Sequence, residues 1–124
     1  MRPGTAHARA REVADSLAEM GPITVTRFFS GAALRAGGAQ FAFVMKGSLY
    51  LRVDAHGRAE LEALGAVPFT YAGHAKTVTV ASYVEAPDQI VDDPDELLRW
   101  ARRAQRAALA GRAPKACPVR RKKR

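Results

Sequence analysis

The sequence has only one cysteine, Cys117, among its 124 residues. A single cysteine excludes an intramolecular disulfide framework and a zinc site built from several cysteines. No apolar run approaches the roughly 18 residues that a membrane-spanning helix requires, and the N-terminus lacks the apolar centre of a secretory signal. We therefore expect one small soluble domain in the cytoplasm.

Patterns that carry catalysis or bind cofactors are also missing. The three histidines share no metal-ligand spacing, no serine lies in a nucleophile motif, and the glycines do not form a dinucleotide fingerprint. The residues weighed and set aside are His7, His56, His74, Ser30, Ser48, Ser82, Gly31, Gly37 and Gly38. We predict no enzyme and no catalytic, cofactor-binding or metal-binding residue.

The net charge of +8 is distributed very unevenly. Residues 85–96 carry six acids and no base, whereas residues 97–124 carry eleven bases and no acid. Seven of those bases lie in residues 112–124, so the rest of the chain is almost neutral. This segment also contains Pro114 and Pro118 and little apolar content, which predicts a disordered basic tail.

The basic tail has two interpretations that the sequence leaves open. It could be a solvated terminus that aids solubility, or it could dock on nucleic-acid phosphates without base preference. The candidate nucleic-acid-binding residues are Lys115, Arg120, Arg121, Lys122, Lys123 and Arg124.

Hydrophobic periodicity predicts an α+β fold with a five-stranded antiparallel sheet and helices packed on one face. The predicted order is α-β-β-β-α-β-β-α. Helices are predicted at 5–20, 55–64 and 94 to about 110, strands at 23–29, 40–46, 48–53, 67–72 and 76–84, and a glycine-rich connection at 30–39. Alternation places Phe41, Phe43 and Met45 on one face of their strand.

The last helix has the clearest local signals. Asp93 is the predicted N-cap, Pro94 occupies the first helical position, and Glu96 completes a capping box. Capping therefore explains the acidic cluster around residues 88–96 better than a cation site does.

The aromatic residues fall on strand or helix core spacing. We interpret them as core residues and not as a base-stacking surface, which needs exposed rings flanked by bases. The residues concerned are Phe28, Phe41, Phe43, Phe69 and Trp100.

Five segments in order carry a family resemblance: RFFSGAAL, QFAFVMKGSLYLRVD, ELEALGAVPFTY, KTVTVASYVEAP and DDPDELLRWARRA. Together they resemble the TfoX N-terminal domain, the amino-terminal module of the TfoX/Sxy competence regulators, over about residues 8–108. The family usually has Met-Phe-Gly-Gly where this chain has Phe28-Phe29-Ser30-Gly31. The full regulators also carry a helical C-terminal domain, whereas this chain has the basic tail.

The resemblance implies a secretion-chaperone-like fold that commonly forms homodimers. It also implies transcriptional control of DNA uptake with a protein partner such as the cyclic-AMP receptor protein. We thus expect a TfoX N-terminal-like domain over residues 1–111 and a tail over 112–124. The preferred hypothesis is a non-enzymatic regulatory, protein-interaction domain, and the alternative is a non-specific nucleic-acid-binding protein that acts through its tail.

Overall fold

The computed structural model describes residues 5–73 and 75–112, which form one six-stranded antiparallel sheet with helices on one face. The helices are α1 (Thr5–Ser16), α2 (Ala55–Ala63), α3 (Asp88–Val91) and α4 (Pro94–Arg112), with a short 3-10 helix at Ala18–Met20. The strands are β1 (Thr24–Phe28), β2 (Gly31–Ala36), β3 (Ala39–Met45), β4 (Ser48–Arg52), β5 (Pro68–Ala72) and β6 (Thr77–Glu85). The α+β class and the antiparallel sheet are confirmed, but the prediction of five strands is wrong, and so is the predicted element order.

Strand β2 is the element that the sequence prediction missed. Its sequence, GAALRA, contains no β-branched or aromatic residue, so its composition does not favour a strand. It forms because it lies between β1 and β3 and pairs with both of them. Its residues Ala32, Leu34 and Ala36 are buried in the main core, so tertiary packing overrides the weak local preference.

The strand order across the sheet is β1-β2-β3-β4-β6-β5. Tight hairpins join the first four strands, and α2 carries the chain from β4 to β5. Strand β6 then inserts between β4 and β5. Strands β1 and β5 are consequently the two edges of the sheet.

Helix α4 covers the centre of the sheet, since it contacts β3 and β4. Its apolar stripe packs inward, as its spacing predicts: Leu97, Trp100, Ala101, Ala104 and Ala108 are all buried. The alanines of this stripe face their own sheet, so the small-residue face of α4 is not available to a second copy of the chain.

Acidic side chains begin two of the helices. Asp54 accepts a hydrogen bond from the backbone N–H of Gly57 at 2.8 Å, and Asp93 accepts bonds from the N–H groups of Asp95 and Glu96. The predicted capping box is only half formed. The Glu96 carboxylate pairs with Arg99 at 2.8 Å, while the Asp93 N–H donates to the carbonyl of Ile90.

A β-bulge in β3 changes the predicted facing of its side chains. Arg35 pairs with Gln40 and Leu34 with Ala42, so Phe41 is an extra residue on its strand. Phe41 joins the helix-side core, whereas Phe43 and Met45 belong to a second cluster. Strict alternation placed these three on one face, and the bulge overturns that expectation.

No helix within the described residues combines the length and the apolar character needed to cross a membrane.

Candidate binding site on the open face of the sheet

The sheet face opposite the helices is lined with aromatic side chains. The chain has nine aromatic residues, and only Phe41 and Trp100 lie in the helix-side core. The other seven belong to the second cluster or to the cavity beside it: Phe28, Phe29, Phe43, Tyr50, Phe69, Tyr71 and Tyr83. We call this surface the aromatic face.

Phe43 is the centre of the aromatic face. Its side chain is only 1% exposed, although no helix covers it. Four neighbouring rings bury it, with centroid distances of 4.8 Å to Phe28, 5.0 Å to Tyr50, 4.9 Å to Phe69 and 4.9 Å to Tyr83. The face is therefore a packed cluster of rings and not a set of isolated exposed residues.

The contact between Phe43 and Phe69 shows that the sheet curls. The two residues lie on β3 and β5, which are three strand spacings apart, or about 14 Å in a flat sheet. Their ring centroids nevertheless lie 4.9 Å apart. Twist and coiling of the sheet bring its edge over its centre and make the aromatic face concave.

The concave face contains a cavity of about 430 Å³, which lies in the volume range of small-ligand and anchor-residue pockets. Its walls are Phe28, Phe29, Phe43, Met45, Phe69, Tyr71, Val80 and Tyr83. Val80 and Tyr83 reach the same cavity because the pairing between β5 and β6 shifts at this point. This irregularity puts both side chains on the face, although they are an odd number of residues apart.

The Tyr83 and Ser48 hydroxyls near the cavity have hydrogen-bond partners, and exposed Tyr71 adds one further hydroxyl to the lining. The Tyr83 hydroxyl donates to the carbonyl oxygen of Gln40 and accepts from its Nε2, both at 3.3 Å. The Ser48 hydroxyl donates to Glu85 at 2.7 Å. Burial, and secondly the charge of Glu85, raise the pKa of the Tyr50 hydroxyl, which keeps it neutral. The cavity is therefore an apolar site.

Phe29 is the most unusual residue on the rim. It occupies the two-residue turn between β1 and β2, has a φ of 53°, and is 80% exposed. A bulky side chain at positive φ is rare and strained. Its ring touches Phe28 edge-on, with centroids 4.8 Å apart. Strain combined with exposure points to a function for this side chain.

Charge is also distributed asymmetrically between the sheet and the helices. The strands and their connecting turns, residues 24–52 and 68–85, carry five Lys or Arg and one acid, Glu85. The other eleven acids lie in helices or directly beside them. Arg52 lies over the Tyr83 ring at 5.7 Å, with its guanidinium also beside Gly111 at the end of α4, and exposed Lys46 directly follows Met45 of the cavity wall.

The structure changes the interpretation of the predicted core aromatics. Phe41 and Trp100 are buried in the helix-side core, as predicted. Phe28 and Phe69 are partly buried: they pack against the Phe43 cluster, as core spacing predicts, but they also line the cavity. The signal that could have revealed this was the apolar character of both faces of β3, because a sheet covered on one side needs only one apolar face.

The predicted nucleic-acid-binding residues lie outside the described residues: Lys115, Arg120, Arg121, Lys122, Lys123 and Arg124. His74 also lies outside them. Among the described residues, no three His, Cys, Asp or Glu side chains are grouped closely enough to hold a metal ion. Of the acidic residues near α4, Asp93 caps the helix and Glu96 pairs with Arg99.

Comparison with known families gives one match. The family described as the TfoX N-terminal domain matches residues 15–108, which is more than half of the chain and includes every strand. A search of curated proteins found no match.

Proposed function

Because the chain belongs to the TfoX N-terminal domain family, we propose that it is a non-enzymatic regulatory domain that acts by binding a protein partner. The aromatic face carries this proposal. It is a concave apolar surface with two exposed aromatic rings, Phe29 at 80% and Tyr71 at 49% exposure. Exposed apolar patches of this kind are typical of interaction sites.

The composition of the cavity favours binding over catalysis. Its lining consists of aromatic residues, one methionine and one valine. None of these supplies the His, Cys, Lys, Ser or carboxylate that acts as nucleophile or general base in most active sites. A cavity lined mainly by apolar groups is suited to holding a side chain and not to transferring a proton.

The family resemblance supplies the context of the proposal. It implies control of DNA-uptake genes, with a partner such as the cyclic-AMP receptor protein. We propose that the aromatic face docks on such a transcription regulator in the cytoplasm. Homodimer formation remains a separate proposal. It would use an edge strand, β1 or β5, because the alanine stripe of α4, Ala101, Ala104 and Ala108, is buried within the chain.

A photo-crosslinking experiment tests the proposal in cells. A photoreactive phenylalanine analogue replaces Phe29 on the aromatic face, and the same analogue replaces Leu109 in a control chain. Leu109 is also an exposed apolar residue, at 42%, but it lies on α4. We expect a specific crosslinked protein from position 29 alone. Equal products from both positions, or none from position 29, would contradict the proposal.

A second candidate function rests on the basic tail. Its seven bases in residues 112–124 favour docking on nucleic-acid phosphates. The two functions make opposite predictions for tail neutralisation: protein capture through the aromatic face survives it, whereas nucleic-acid binding through the tail is lost.

A further inference from the structure

We infer that the aromatic face binds an acidic protein segment that carries one bulky apolar side chain, which enters the cavity. This inference rests on the proposed function and specifies the chemistry of the partner. Three observations carry it: the apolar cavity, the strained and exposed Phe29, and the basic surroundings of the face.

The cavity selects an apolar anchor. Tyr83 uses its hydroxyl with Gln40 on the same chain, and the other walls are four phenylalanine rings, a thioether, a valine and the exposed ring of Tyr71, whose hydroxyl is the one further polar group of the lining. A nucleobase in this space would leave its polar edge groups without partners, which costs binding energy. A Phe, Trp or Leu side chain has no such groups, or only one, and it gains from burial against the rings.

Phe29 and Tyr71 are placed to close on such an anchor. They line the cavity on opposite edges of the sheet, in the turn after β1 and in β5, and both are exposed in the free chain. Aromatic residues beside a pocket are the usual hot spots of protein interfaces. The positive φ of Phe29 destabilises the folded chain. A contribution of the Phe29 ring to binding that exceeds this strain energy would explain why the residue is present.

The charges select acidic residues on either side of the anchor. Lys46 follows Met45 of the cavity wall, Arg52 lies over Tyr83, and Arg35 is exposed on β2. The one acid of the strands, Glu85, lies opposite Tyr50 and accepts a hydrogen bond from Ser48, so the three bases outnumber it on this side. The strands and their turns carry five bases and one acid, whereas the helices and their flanks carry eleven acids and eight arginines. An acidic segment is therefore attracted more strongly to the strands than to the helices, which gives it an orientation.

The same charges argue against two other occupants. In a symmetric dimer each copy presents the same patch to its partner, so two basic faces would meet and repel each other. Single-stranded nucleic acid has the negative charge that complements the basic residues, but its bases carry polar edge groups that find no partners in the apolar cavity. The acidic segment with an apolar anchor satisfies both.

Fluorescence anisotropy with the full chain tests the inference. The probe is a labelled peptide of Asp and Glu with one central Phe, and its control has Ala in the central position. We expect the Ala peptide to bind about tenfold more weakly, the size of a hot-spot contact. The protein variant Phe29→Ser should lose a similar factor with the Phe peptide. It should lose little with the Ala peptide, because the two changes remove the same contact.

Matched variants separate the cavity from general charge effects. Lys46→Asn removes a base and keeps a residue that tolerates positive φ, and it should weaken binding a few-fold and reduce the salt dependence. Arg11→Gln, on α1, and Leu109→Ser, on α4, should leave binding unchanged. Replacing the bases of the tail with Gln shows how much the tail attracts the peptide. The difference in affinity between the Phe and Ala peptides should survive this change, because binding to the tail depends on neither the anchor nor Phe29.

Several results would overturn the inference. Equal affinity for the Phe and Ala peptides means that only charge is recognised. An oligo-dT that binds more tightly than the Phe peptide and depends on Phe29 makes the face a nucleic-acid site. Self-association that is lost in Phe29→Ser assigns the face to a second copy. Tyr71→Ser serves as the second variant if Phe29→Ser fails to fold.

The outcome is distinguishable from failure of the proposed function. If photo-crosslinking from position 29 still captures a protein while the acidic peptide does not bind, the proposed function stands and the inferred partner chemistry is wrong. If position 29 captures no protein and the acidic peptide does not bind, both the proposed function and the inferred partner chemistry are wrong.

Discussion

Arg103 on α4 donates two hydrogen bonds to the carboxylate of Glu60 on α2, from Nη1 to Oε1 at 3.0 Å and from Nη2 to Oε2 at 2.8 Å. The same guanidinium lies 4.2 Å from the centre of the Trp100 ring. A two-bond arginine–carboxylate contact is geometrically specific and stronger than an ordinary surface ion pair. It fixes the position of α2 against α4, on the side of the sheet opposite the aromatic face.

The Glu60 contact should make stability depend on pH. The hydrogen bonds from Arg103 lower the pKa of the Glu60 carboxyl below its ordinary value. A depressed folded-state pKa stabilises the fold above the ordinary glutamate range, and this contribution is lost as the pH falls through the folded-state pKa. We expect Glu60→Gln to be less stable than wild type at neutral pH and to lose this difference in acid.

Urea unfolding followed at a series of pH values measures this effect. Glu62→Gln removes an exposed acid from the same helix and controls for the change in net charge. A difference between wild type and Glu60→Gln that persists unchanged into strong acid would contradict the assignment.

Trp100 should be the most costly side chain of α4 to remove. It is 3% exposed and packs in the helix-side core. Truncation of a buried tryptophan leaves a cavity and costs about 3–5 kcal/mol. Denaturant unfolding of Trp100→Ala measures this loss. The control Leu109→Ala, at an exposed position of the same helix, should change stability by less than about 0.5 kcal/mol.

The N-cap of α4 gives a smaller and cleaner prediction. Asp93 Oδ1 accepts from the N–H groups of Asp95 at 3.1 Å and Glu96 at 3.3 Å. Asp93→Ala leaves both donors without this acceptor and should cost about 1 kcal/mol. Asp93→Asn keeps an acceptor oxygen and should recover most of the stability. A thermal melt of the alanine variant that overlays wild type would show that water replaces the cap at no cost.

Local signals predicted the parts of the fold that depend on local chemistry. The Asp93-Pro94 start of α4 was predicted from its capping residues and is confirmed. The Asp54 cap of α2, the buried stripe through Trp100 and the tight turn at Gly47, with a φ of 83°, obey the same local rules.

Features that depend on how neighbouring strands pair, and not on the preference of a single segment, could not be predicted. Strand β2 has weak strand propensity and exists because two neighbours bond to it. The bulge at Phe41 changes which sheet face the side chains before it point to. A strictly alternating pattern cannot reveal such an inserted residue. The aromatic face was assigned to the core because alternation distinguishes two faces without showing which one the helices cover.

Replacing Phe29 with glycine should affect binding at the aromatic face without a large change in the free energy of unfolding. Gly is the preferred residue at positive φ in a two-residue turn, so Phe29→Gly relieves strain of about 1–2 kcal/mol. The loss of its edge contact with Phe28 and the entropy of glycine offset this gain. We expect the free energy of unfolding to stay within about 1 kcal/mol of wild type, while the affinity of the aromatic face for the Phe peptide falls about tenfold, as in Phe29→Ser. A large loss of stability would mean that Phe29 serves the fold.

The basic tail makes a quantitative prediction for the alternative function. If the tail engages about four phosphates of duplex DNA, log affinity should fall with log salt at a slope near −3.6. A change from about 50 to 200 mM salt would then weaken binding by roughly two orders of magnitude. No base preference is expected, because recognition of sequence needs donors held in fixed positions against the groove edges.

A labelled duplex titrated at several salt concentrations measures this slope. The comparison chain replaces the terminal cluster Arg120, Arg121, Lys122, Lys123 and Arg124 with Gln, which keeps the chain length and leaves α4 intact to Arg112. Binding should be lost in this variant because the phosphate contacts are gone. Equal binding by both chains would refute the tail model and move attention to exposed bases of α4 such as Arg102 and Arg106. Absence of binding by both at low salt would leave protein recognition by the aromatic face as the supported function.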